Sequence, residues 1–177
     1  MFFYDNNKIC VIAWPRCGHT SMYKHFNLPV YSTEDKKLYH FVNSKATTKI
    51  VVIRNPYDRL LSAIKNSKIL EARPIQDPKH LGFDWKHWAI SHSEPVLHEL
   101  TKLNIGYKII DFYKLNNYIN VAKETIVTNS VASNTWEDYM STYFSKEQME
   151  KEYQAYLSIM TSSDKISVTE WKLMVDF

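Results

Sequence analysis

Two segments about forty residues apart constrain the fold more than anything else in the chain. Lys8-Ile9-Cys10-Val11-Ile12-Ala13-Trp14 runs into Pro15-Arg16-Cys17-Gly18-His19-Thr20-Ser21. Lys49-Ile50-Val51-Val52-Ile53 runs into Arg54-Asn55-Pro56-Tyr57-Asp58-Arg59-Leu60-Leu61-Ser62. A short continuous apolar run bounded by polar turn residues reads as a strand buried on both faces. Each such strand here leads through a polar turn into a helix. Buried strands alternating with helices predict an α/β fold, a three-layer α/β/α arrangement around a central parallel sheet. In such sheets ligands bind at the C-terminal ends of the strands, where both turns fall.

The rest of the chain fits the same alternation. A helix is predicted from about His19 to Phe26. The segment from Leu28 to Lys37 reads as irregular, and Leu38 to Val42 as a short extended piece. Pro56 suits the first position of a helix, where no N–H partner is needed. That helix reaches about Leu70, with Leu60, Leu61, Ile64 and Ile69 on its apolar side. Ala72 to Gly82 reads as a loop, and Phe83–His92 and Glu94–Leu103 as helical. Tyr107 to Phe112 predicts a third strand, and Leu115 to Ala122 a short helix. Ser145-Lys146-Glu147-Gln148 carries a capping box that opens a last helix reaching about Met160.

At 177 residues, with 45% of them apolar, residues 1–177 read as a single domain. The 22 basic and 19 acidic residues are interspersed and the net charge is +3. That pattern lacks the one-sided basic face of a nucleic-acid reader, so no nucleic-acid partner is expected. Cys10 and Cys17 do not make a disulfide framework and read as reduced thiols. No apolar run is long enough to span a membrane, and the first residues lack a signal-peptide pattern. A soluble, cytoplasmic protein is the expectation.

Both turns carry the groups that hold phosphate or sulfate. The first offers backbone N–H groups at a helix start, the hydroxyls of Thr20 and Ser21, and the forked guanidinium of Arg16. It lacks the Gly-x-x-x-x-Gly-Lys-Ser/Thr pattern of ATP and GTP loops. The second sends Arg54 off the end of a buried strand and places Ser62 about two helical turns further on. Arg59 is placed to brace the loop or to pair with Asp58 or another carboxylate. Read blandly, the first is a capped strand–helix turn and the second carries surface salt-bridge arginines. Taken as a pair, they suit a ligand with an anionic group at each end.

Together the motifs resemble the sulfotransferase family that uses 3'-phosphoadenosine 5'-phosphosulfate. Its first loop commonly reads Pro-Lys/Arg-Ser-Gly-Thr-Thr/Ser, matched here by Pro15, Arg16, Gly18, Thr20 and Ser21. Its second reads Arg-Asp/Asn-Pro, then Arg, then Ser, matched by Arg54, Asn55, Pro56, Arg59 and Ser62. Weaker similarity to carbohydrate sulfotransferases runs through Thr128-Asn129-Ser130, Trp136 to Tyr139 and Tyr143 to Glu147. Cys17 stands where the family has Ser, and His19 where it has Thr. The resemblance implies a P-loop NTPase-like sulfotransferase fold. It also implies a sulfuryl donor whose 5' end is held by Arg16, Cys17, Gly18, His19, Thr20 and Ser21. Arg54 and Ser62 would hold the donor's 3'-phosphate. The product would be 3',5'-bisphosphoadenosine, the acceptor a hydroxyl of a carbohydrate or small molecule, and no metal would be needed.

Such a transfer needs a base, and a histidine suits neutral pH. His40 is the best match to the family's histidine between the two loops, with Glu34 the runner-up. His19 reads as a cofactor contact or helix cap, and His25 as a surface or packing residue. His80, His87 and His92 are too irregularly spaced for one metal-binding helical face. Trp85, Trp88 and Trp136 read as packing residues before stacking ones. Two other functions stay open: a binder of the same nucleotide that has lost transfer, and a divergent nucleotide or nucleoside kinase.

Overall fold

The computed structural model describes residues 2–28, 37–71, 84, 92, 94–103, 105–121, 145–161 and 164–175. The predicted helix at Phe83–His92, the loops around it and the Thr128 to Tyr143 similarity lie outside the described residues, apart from Asp84 and His92.

Among the described residues four strands form one sheet in the order in which the chain makes them: β1 (Phe2–Asp5), β2 (Ile9–Ala13), β3 (Thr48–Ile53) and β4 (Lys108–Asp111). β2, β3 and β4 are parallel, with Val11 opposite Ile50 and Val51 opposite Ile109. β1 runs antiparallel to β2, pairing Phe2 with Ala13 and Phe3 with Ile12. The sheet is therefore mostly parallel rather than wholly so. β1 and β2 are joined by a tight turn, which only antiparallel neighbours permit. Asn7 takes a left-handed φ of 68° there, and the Asn6 side chain accepts from the amides of Lys8 and Ile9.

Strand side chains alternate between faces, and here both faces are covered. Ile9, Val11 and Ala13 join Ile50, Val52 and Ile110 in one core. Helix α1 (His19–His25), the 3₁₀ helix Phe112–Asn117 and helix α6 (Val168–Val175) supply Met22, Tyr23, Leu115 and Trp171 to it. Cys10, Ile12, Trp14, Val51, Ile53 and Ile109 face the other core. Helices α2 (Lys37–Asn43), α4 (Leu97–Lys102) and α5 (Lys146–Thr161) supply Phe41, Leu97, Leu100, Tyr156 and Ile159 there. Helix α3 (Pro56–Glu71) packs against α5. This layering explains why the strands read as unbroken apolar runs.

The predicted helix from Pro56 and the helix opened by Ser145 both form. In the second, the Gln148 amide donates to Ser145 Oγ at 3.1 Å and the Ser145 amide to Gln148 Oε1 at 3.0 Å. Two expectations are corrected. The residues read as an extended piece, Leu38 to Val42, belong to α2, with Lys37 and Phe41 buried on one side. The short helix expected from Leu115 starts earlier, as the 3₁₀ helix from Phe112, where the Asp111 carboxylate accepts the Tyr113 amide. Cys10 and Cys17 are free and buried. Among the described residues no helix is long and apolar enough to cross a membrane.

Candidate functional site

The ends of β2 and β3 lie side by side, so the two polar turns meet. They are tied by side chains that cross from one to the other. Arg16 donates to Ser62 Oγ from Nε at 3.1 Å and from Nη2 at 3.0 Å. Arg54 Nη1 returns a bond to the Arg16 carbonyl at 3.0 Å. Arg59 Nε donates to the Pro15 carbonyl at 3.0 Å, and its Nη1 to the Glu94 carbonyl at 2.7 Å. The sequence left Arg59 as a brace or an ion-pair partner; it is bonded as a brace.

The first turn holds unusual backbone geometry. Arg16 has φ 64° and Gly18 has φ 82°, both left-handed. A β-carbon on Gly18 would collide with the Leu115 side chain and sit at a left-handed φ, so space and φ both favour glycine. Gly18, and not His19, is the residue that caps α1, and it has no side chain to do so. The first helical bond runs from the Met22 amide to the Gly18 carbonyl at 3.0 Å. The amides of His19 and Thr20 precede it, at the helix end where backbone donors lack intrahelical acceptors. The Cys17 amide is already used, donating to the Trp14 carbonyl at 3.0 Å.

Three guanidinium groups gather here. Arg54 and Arg59 are only 3% and 4% exposed. The Arg54 guanidinium lies over the Phe112 ring, 4.4 Å from its centre, and its buried Nε has no hydrogen-bond partner. An orphaned buried donor beside a second arginine is the arrangement an anion would complete. Burial, and after it the neighbouring Arg54 charge, pull the Arg16 guanidinium below its ordinary pKa. Burial pushes the Cys17 thiol up, so it is a poor nucleophile. His19 is lowered to about 3, mostly by burial, with Arg16, His92 and Lys37 adding positive charge around it. It is therefore neutral at physiological pH. Lys37, buried at the start of α2, donates to the Tyr23 hydroxyl at 3.0 Å.

The structure thus brings together Arg16, Cys17, Gly18, His19, Thr20, Ser21, Arg54 and Ser62. His40 stands apart from this knot of bonds. It is exposed on α2, and its ring neighbours are Phe3 of β1 at 6.1 Å and Tyr39 at 5.8 Å. His25 packs edge-on against Phe26 on the surface of α1. Glu34, His80, His87, Trp85, Trp88 and Trp136 lie outside the described residues. Among the described residues no cluster of three or more His, Cys, Asp or Glu is set to hold a metal. A groove of about 690 Å³ between α4 and α5 is lined by neither turn.

Sequence reasoning missed Glu152. Its carboxylate is 1% exposed on α5 and accepts the amides of Val96 and Leu97 at 2.6 Å each and of His98 at 3.0 Å. The signal was present: Glu152 falls in the buried stripe of Met149, Ala155, Tyr156 and Ile159, where a carboxylate needs buried donors.

No family model, curated protein or solved structure matches this chain.

Proposed function

We propose that the paired turns bind the two anionic ends of 3'-phosphoadenosine 5'-phosphosulfate and that the protein is a sulfotransferase acting on a hydroxyl acceptor. The observation that carries this reading is the crossing of Arg16 and Arg54 between the turns, with Ser62 and the orphaned Arg54 Nε at their meeting point. The finer P-loop sulfotransferase fold belongs to the same proposal. The adjacent parallel strands β2 and β3 and the cover on both sheet faces support it.

In this reading Arg54 and Ser62 hold the 3'-phosphate, and the orphaned Nε gains its acceptor. Arg16 leaves the Ser62 hydroxyl to stabilise charge building on the departing 5'-phosphate. The amides of His19, Thr20 and Ser21, with the Thr20 and Ser21 hydroxyls, fix the oxygens at that end. The donor supplies the sulfuryl group, which passes from a phosphate oxygen to the acceptor oxygen. His40 takes the acceptor proton, and 3',5'-bisphosphoadenosine departs. His40 is exposed and lies over Phe3, whose partner Ile12 is one residue short of the end of β2. In this reading the base approaches from outside the bonded turns rather than from within them.

A second reading, a binder of this nucleotide without transfer, is favoured by two observations. His40 makes its ring contacts away from the turns, and Arg16 is engaged by Ser62. The test has two arms. Thermal unfolding with 3',5'-bisphosphoadenosine, adenosine 5'-phosphate and ATP measures selectivity. The bisphosphate should stabilise most, and Arg54→Ala should erase its advantage over the monophosphate. Equal stabilisation by all three, or equal losses in the variant, removes the donor assignment. Transfer of labelled sulfuryl to a panel of hydroxyl acceptors, lost in His40→Ala, then separates the enzyme from the binder.

A further inference from the structure

We propose that Glu152 is a positioning residue for the first turn, acting through the 94–98 segment and Arg59. This inference rests on the reading of the two turns as the ends of one nucleotide site. Val96 begins α4 with no side-chain cap of its own. Glu152, reaching over from α5, caps it instead through both carboxylate oxygens. Three donors on one carboxylate leave little freedom to the segment that carries them. The carbonyl of Glu94, two residues before Val96, is the acceptor for Arg59 Nη1, and the other arm of Arg59 holds the Pro15 carbonyl. The Glu152 charge also acts directly on the Arg59 guanidinium. A buried path of charge-assisted bonds therefore runs from α5 to the residue before Arg16.

The first turn needs such support. Arg16 is held at φ 64°, a conformation an L residue keeps only when its surroundings impose it. Its guanidinium and carbonyl face Ser62 and Arg54 respectively. A shift of Pro15 thus alters the spacing between the two anion-holding ends. A ligand that spans both ends senses that spacing; a ligand held at one end does not.

The test compares Glu152→Gln with the unaltered protein, below the unfolding range of both. Gln keeps the volume, but its NH₂ group replaces one of the two accepting oxygens and cannot accept the amide bonded there. Affinity for 3',5'-bisphosphoadenosine should fall about tenfold or more, and that for adenosine 5'-phosphate by less than about threefold. Hydrogen exchange of the Cys17 amide, which bonds the Trp14 carbonyl, should quicken. Lys151→Ala, at an exposed position on the same helix, should change none of these. Should Glu152→Gln fail to fold, Glu152→Asp keeps the charge and withdraws the oxygens by one methylene. A lower melting temperature with an unchanged affinity ratio and unchanged Cys17 exchange would mean that Glu152 only stabilises the fold, and the proposal is overturned. If the unaltered protein binds no bisphosphate, the nucleotide reading is lost. Cys17 exchange alone then decides: faster in the variant supports positioning, unchanged overturns it.

Discussion

The two turns reach the same edge of the sheet by opposite means. The second is built from its own residues. Pro56 starts α3, and the Asn55 side chain accepts the Tyr57 amide at 2.9 Å, which is a local Asx arrangement. The first has two left-handed residues in three and a glycine cap. Its carbonyls at Pro15 and Arg16 are held by arginines that belong to the second. The dependence runs one way for the backbone: Arg54 and Arg59 shape the first turn, and the first turn lends only the Arg16 side chain in return. A turn made this way is a tertiary object, and its geometry responds to changes far from it in sequence.

The largest test of that asymmetry is Arg59→Ala. It leaves the Pro15 and Glu94 carbonyls without their buried donor, so a loss on the order of 3 kcal/mol is expected in urea denaturation. A loss below about 1 kcal/mol would mean the first turn holds itself. Gly18→Ala comes next, at about 1–3 kcal/mol, because the new methyl group meets Leu115 at a left-handed φ. In a Leu115→Ala background, itself costly in this core, Gly18→Ala should cost less if space is the cause and the same if φ alone is. Asn55→Ala removes a local bond only and should cost about 1 kcal/mol. A larger loss than for Gly18→Ala would reverse the comparison.

The smallest effect at neutral pH belongs to His19. Its folded pKa is about 3, against 6.5 unperturbed. As pH falls from 6.5, the unfolded chain takes up this proton while the folded chain refuses it. Stability is therefore whole above about pH 6.5 and declines toward pH 3. His19→Gln should flatten that part of the acid limb. An imidazole found by NMR to titrate near 6.5 in the folded protein would end the picture of a buried, cation-ringed first turn.

The elements legible in the sequence were those whose signal is local or strongly periodic. β2, β3 and β4 show as apolar runs, and α3 and the box-capped α5 show by their starts. The predicted parallel sheet gained an antiparallel edge because Phe2-Phe3-Tyr4 is short and shows no alternation. α2 was hidden because Tyr39, Phe41 and Val42 favour strands, and packing of Phe41 overrides that preference. α6 carries the same cap as α5, with Ser167 and Glu170 exchanging bonds at 2.9 and 3.1 Å; its Ser-x-x-Glu pattern is a local signal of the same kind. At the site, the motif residues could be named from the chain alone. Which carbonyls Arg54 and Arg59 take, and that Glu152 caps a helix from another element, depend on contacts between residues distant in sequence.

The far edge of the sheet carries a consequence for how the molecule assembles itself. The Ile109 amide donates to the Asp164 carbonyl at 2.8 Å, and the Ile166 amide to the Ile109 carbonyl at 3.2 Å. Residues made long after β4 thus cover its outer rim. Closing so large a loop carries an entropic cost, and this rim is expected to be sealed late. A polypeptide ended just beyond α5 would display bare ladder groups on β4, an invitation to strand-on-strand clumping. The last short stretch before α6 closes an edge that would otherwise be open to pairing with another chain.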